Sequence, residues 1–327
     1  MKLIHCLLGL LCALWLPFAA HAQAGYGFGY QPTSLAVLKA QPLVVLLEEE
    51  DPKQVRKLAD KPDDLAQYRA YIAFYNNQLR ELAPKFWHFS PAVEFKLKSE
   101  MEALRKAKGP MTVVLLRTED KTSTFGMGRA SNGYNGALRA TATVAEMCLL
   151  VVGDGKIDYR DRAGLAPGPA YASDIVFALR DIQRSLQHEA DGYSYGKLTK
   201  QQKEAERTKS AAQVRSKTLL LDPNQLDPKL TEAIIREVYP YPFQLAPRAT
   251  IEAAVLSADI RYTYVRWLTF SAEQIGQVVL DAADSEVLRF LESTGGFGRS
   301  SLAADMLDKA DLKRLAASVA DKADAKK

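Results

Sequence analysis

Leu43-Val44-Val45-Leu46-Leu47 stands between Pro42 and the acidic run Glu48-Glu49-Glu50-Asp51. A short, valine-rich apolar run bounded by breakers and charge reads as a buried strand. A helix follows it. Leu65, Tyr68, Ile72, Tyr75, Leu79 and Leu82 recur at intervals of three and four, which places them on one helical face. Pro62, Asp63 and Asp64 supply its start and Pro84 its stop. A buried strand followed by an amphipathic helix sets the class as α/β (α+β).

Working outward, Phe86-Trp87-His88-Phe89 reads as an aromatic strand, and Val93 to Ala107 as a charged amphipathic helix ending at Gly109-Pro110. Met111 to Leu116 is a second buried strand. Thr118 to Ala142, rich in Gly, Asn, Ser and Thr, reads as a long irregular stretch. Met147 to Val152 is a third strand, turned by Gly153-Asp154-Gly155 into a returning strand from Lys156 to Tyr159. A helix runs from Ser173 to His188. Lys197 to Lys217 carries seven Lys/Arg and two Glu and reads as an inter-domain linker, partly helical.

Beyond the linker the order recurs. Thr218 to Leu221 is a strand, Lys229 to Val238 a helix, Phe243 to Leu245 a strand and Thr250 to Leu256 a helix. Tyr262 to Leu268 is a strand, Gln277 to Leu291 a hairpin, and a helical tail starts near Ser300. Both halves therefore read as strand, helix, strand, helix, strand, hairpin, helix, which is the pattern of an internal duplication.

The amino-terminal end reads as an export signal. Lys2 is a short basic region, Leu3 to Phe18 an apolar one, and Ala20-His21-Ala22 a cleavage site before Gln23. The apolar run falls short of the roughly 20 residues of a membrane span. Leu10 and Leu11 before Cys12 do not fit a lipoprotein box. Cys6 and Cys12 leave with the signal, so Cys148 alone remains and no internal disulfide forms. A content of 47% hydrophobic and 25% charged residues is that of a globular protein, and a net charge of +4 is too small to indicate nucleic acid or a membrane surface as partner. The expected organisation is a signal peptide (1–22), a flexible leader (23–41), a first α/β domain (42–190), a charged linker (191–216), a second α/β domain (217–315) and a polar tail (316–327).

Lys217-Thr218-Leu219-Leu220-Leu221-Asp222 and Tyr239-Pro240-Tyr241-Pro242-Phe243 resemble segments of uncharacterised exported proteins of Bacteroidota. The resemblance covers about 70 residues in that family's exported context. It implies a compartment, periplasmic or extracellular, and no activity.

Asp154 to Asp161 resembles the end of a calcium loop, but Leu150 and Val152 fall where two ligands belong, so a hairpin is expected and no metal. Thr294 to Ser301, with Arg299, is either an anion-holding helix start or a turn capped by Ser300 or Ser301. The stretch from Thr118 to Ala142 is the better location, because long loops in compact domains are functional or disordered. The other reading there is a hairpin tip. Arg117, Arg129 and Arg139 sit in or beside it. His88 and His188 are isolated, Cys148 lies in an apolar run, and Glu48 to Asp51 and Asp63-Asp64 are acids without an evident pairing. Arg117, Arg129, Arg139 and Arg299 are therefore the candidate binding residues, with no catalytic set, metal or cofactor. The expected function is a non-enzymatic binding or scaffolding module with an envelope or extracellular partner. The alternative is a hydrolase of such material acting through those acids.

Overall fold

The computed structural model describes the backbone of residues 34–127, 137–166, 170–271, 274–291 and 306–320. Side chains are described for 34–119, 145–166, 170–268, 276–291 and 306–320. The signal region, the Gly/aromatic repeat at 25–30, Thr294 to Ser301 and the last seven residues lie outside the described residues.

The first half opens with a short helix, α1 (Leu35–Ala40), and the strand β1 (Leu43–Leu47). Next come α2 (Pro52–Lys57), α3 (Pro62–Phe86), β2 (Val93–Leu97) and α4 (Met101–Lys106). The half closes with β3 (Thr112–Met127), β4 (Ala137–Gly153), β5 (Lys156–Leu165) and α5 (Ala172–Ala190). Helix α6 (Lys200–Ser216) leads to the second half. There the order is β6 (Thr218–Leu221), α7 (Glu232–Val238), β7 (Phe243–Leu245), α8 (Arg248–Leu256), β8 (Tyr262–Ser271), β9 (Gln274–Asp281), β10 (Val287–Leu291) and α9 (Lys309–Val319).

The halves share one topology. The first five-stranded sheet, sheet A, has the order β2-β1-β3-β4-β5, and the second, sheet B, has β7-β6-β8-β9-β10. In each, the first three strands are mutually parallel and the last two return antiparallel. The repeat in the sequence is thus a repeat of strand order and direction.

Alternation along β1 assigns its two faces. Leu43, Val45 and Leu47 join Val113, Leu115, Leu149 and Val151 beneath α3 and α5. Val44 and Leu46 join Val114, Leu116, Cys148 and Leu150 on the other face, against Met101 and Leu104 of α4. In sheet B, Leu219, Leu221, Val265 and Val279 face α6, α7 and α9. Leu220, Tyr264, Val278 and Leu280 face α8 and belong to the same core as α3 and α5. The α5 face of the first half therefore packs against the α8 face of the second. Helix α5 lies between the two, which is why eight consecutive residues, Ala172 to Leu179, are buried. A helix buried all round needs an apolar surface on every side.

Several expectations require correction. Phe86 closes α3 rather than opening a strand, and Trp87 caps it, both buried in the core. Pro84 falls in the last turn, and the helix closes two residues beyond it, where the Trp87 N–H donates to the Ala83 carbonyl. Val93, Phe95 and Leu97 alternate and form edge strand β2, with only the short α4 following. The supposedly irregular Thr118 to Ala142 is largely two strands, paired from Thr112↔Val152 to Met127↔Ala137. Its sequence lacks an apolar run, so only its β-branched threonines suggested pairing. The leader contributes α1, whose Leu38 is buried. The helical part expected of the charged linker is α6, which is capped reciprocally by Thr199 and Gln202 and buries Ala211 and Val214. Residues 316–319, expected to begin a polar tail, complete α9 and bury Val319. The 153–155 turn is a hairpin, with Asp154 at φ 50° and Gly155 at φ 81°. Two successive positive-φ residues match the right-handed twist of the flanking strands.

Candidate functional site at the carboxyl ends of the sheets

In each half the chain leaves the first strand, crosses to one neighbour, and returns to the other side. Open α/β sheets bind ligands at such switch points, beyond the carboxyl ends of the strands. Both halves place charge there.

In the first half Glu48 follows β1 directly and pairs with Lys98, which follows β2, at 3.2 Å. Asn76 of α3 fixes the backbone beneath: its side-chain oxygen accepts from the Glu48 N–H, and its amide donates to the Glu48 carbonyl, both at 2.9 Å. Arg117, beyond the paired part of β1, is 7% exposed, bonds Glu119 at 3.0 Å and lies 6.0 Å from the Tyr75 ring centre. The Arg117 carbonyl accepts from Lys98 Nζ at 3.5 Å. Tyr75 is 1% exposed, its hydroxyl has no partner among the described residues, and burial pushes its phenol pKa well up. The rest of the acidic run is engaged structurally. Glu49 accepts from the Ser99 N–H, Glu50 takes both oxygens to Arg69 Nε, and Asp51 caps α2.

The second half builds the equivalent crevice. Asp222 follows β6 as Glu48 follows β1, and pairs with Arg248 of α8 at 3.4 Å. This crevice is filled. The amino-terminal end of α5 enters it, and Tyr171 lies 4.7 Å from Arg248 and 5.8 Å from Arg266. Asp174 forms an ion pair with Arg266, both 2% exposed. Glu252 accepts from the N–H and the hydroxyl of Ser173. Burial draws Arg266 down to about 10, so it remains charged at neutral pH.

Of the four candidate residues, only Arg117 has a described side chain, and it stands in the first crevice. Arg139 lies on β4 opposite Phe125, eight residues along the hairpin from Met147, the partner of Arg117. At about 3.3 Å per residue that is roughly 26 Å, so the two are not brought together. Arg129 and Arg299 lie outside the described residues. Glu48, Lys98, Asp222 and Arg248 were missed as a set, although each stands at or just beyond a strand end. Among the described residues no group of three or more His, Cys, Asp or Glu is placed to hold a metal ion.

Along α5, Asp181 and Asp161 of β5 are both held above the ordinary carboxylate range, chiefly by burial. Asp181 reaches about 6 despite Arg184 at 3.5 Å. A raised folded pKa means that the native state binds a proton that the unfolded chain releases between about pH 4 and 6, so stability rises as pH falls through that window. Asp181 is 28% exposed, so screening holds its share to about 1–2 kcal/mol. Asp181→Asn should flatten the slope of urea stability between pH 4 and 6; an unchanged slope would refute the assignment.

The chain matches no protein-family model, no curated protein and no solved structure.

Proposed function

We propose that this protein is a non-catalytic binding module, exported to the periplasm or the medium, which receives a polypeptide segment at the carboxyl end of sheet A. One observation supports this above the others: the equivalent crevice of sheet B already holds a segment. Its occupant presents an aromatic ring to two arginines and a carboxylate to one of them. Cation–π contact and a buried ion pair form a recognition scheme that needs no reaction. The first crevice has the same place in the fold, with the half-exposed Lys98, Arg117 and the buried hydroxyl of Tyr75 at its base. Its expected partner segment carries an aromatic residue beside an acid.

Panning a random peptide library on the whole chain tests this. Enriched peptides should pair Tyr, Phe or Trp with Asp or Glu, and Lys98→Glu should weaken them tenfold or more by setting like charges together. Enriched peptides without that pairing, or equal binding to folded Lys98→Glu, would refute the proposal.

A further inference from the structure

At the opposite, amino end of the sheets, α5 and the β9–β10 turn line a wide-open surface cleft of about 400 Å³ between the halves. Its wall includes His88, Phe89, Arg180, Gln183, Arg184 and Asp284. Two arginines four residues apart on α5 face one space.

Their partners differ. Arg184 donates to the carbonyls of Asp284 and Ser285 and pairs with Asp181. Among the described residues Arg180 forms no ion pair. Its Nη1 donates to the Ser285 hydroxyl at 3.2 Å and to the Ala282 carbonyl at 3.5 Å, and its guanidinium lies 4.9 Å from the Phe86 ring centre. The buried carboxylate nearest along the turn, Asp281, is taken by Lys217. The direct contacts of Arg180 are neutral, and the carboxylates of Asp284 and Asp281 act on it without forming an ion pair, so part of its desolvation cost stays uncompensated and an anion would offset it. The floor of the cleft is fixed. Gln183 donates to the Phe86 carbonyl at 2.6 Å and accepts from the His88 N–H, which clamps the end of α3 to α5. The Asp284 carboxylate is turned to its own loop, accepting from the Glu286 N–H at 2.8 Å.

We propose that this cleft binds an oxyanion, a phosphate or carboxylate group of a small ligand, with Arg180 as its principal contact and Arg184 and His88 at its rim. The site is separate from the crevice at the carboxyl end of sheet A, and either can fail without the other.

Melting of the whole chain is to be compared in chloride, inorganic phosphate and succinate at matched ionic strength. A saturable rise of roughly 3 °C at ten times Kd is expected in phosphate or in succinate. A phosphate-only response assigns a phosphoryl ligand, and a succinate-only response a carboxylate. Arg180→Met keeps the packing on Phe86 but removes the charge; its melting should not respond to either anion. No anion-specific rise in the wild type, or an equal rise in Arg180→Met, would overturn the proposal. Should that variant not fold, the Arg180 Nε–H resonance of the wild type decides: a saturable shift with the anion supports the site, and a static one rejects it.

Discussion

Asp174→Ala should cost about 3–5 kcal/mol, because it leaves the buried Arg266 without its carboxylate. Asp174 also accepts from the Tyr171 N–H at 2.7 Å, so the same change loosens the first turn of α5. The loss should show as a lower urea midpoint with an unchanged m-value. Adding Arg266→Met to Asp174→Ala removes the stranded charge, and the double variant should recover much of the loss. A single-variant loss below about 1 kcal/mol would mean that the pair does not hold the halves together.

Phe177→Ala should cost a similar amount, about 3–5 kcal/mol, through the cavity it leaves. Phe177 lies in the stretch of α5 that is buried without interruption, in the core shared by both halves. Its loss should therefore weaken them together. Trp87 belongs to the first half and Trp267 to the second, so in a chain carrying Trp15→Phe, replacing one of them at a time by Phe leaves a separate fluorescent reporter in each half. Both reporters should give coincident transitions in the parent and equal downward shifts with Phe177→Ala. Two separated transitions would show that the halves unfold independently.

What could be read in the sequence followed what the core demands. β1, β6 and the hairpin at Gly153 to Gly155 are apolar runs with breakers, and burial on both faces produces that pattern. The hairpin arm from Thr118 was hidden because it lies beyond the apolar core strands and is held by backbone pairing, which leaves no periodicity in the side chains. β2 is hard to see because Glu94 and Lys96 interrupt its apolar residues, as expected of an edge strand, and an alternation so short also suits one face of a helix. Among site residues, Arg117 was found from its position beside a long loop. The Glu48–Lys98 and Asp222–Arg248 pairs each join residues brought close only by a crossover. No local spacing announces such a meeting. Arg180 falls inside the helix expected from Ser173 to His188 with nothing in the sequence to single it out, and only the turn at Asp281 to Ser285 gives it a setting.

The halves meet by unlike faces, the α5 side of one against the α8 side of the other. Two copies related by a two-fold axis would bury the same face twice; these are stacked head to tail, a contact that in principle repeats without closing. The two outer faces differ from the buried ones in side-chain chemistry. The α4 side, counterpart of the apolar α8, exposes Glu102, Ala103 and Lys106. Helix α9, counterpart of the engulfed α5, turns Lys309, Lys313 and Ser318 outward. Terminal units of repeat proteins are made polar in the same way. The two similar halves thus form a stack of two whose outer helices, α4 and α9, present charged and polar residues where their inner counterparts are buried.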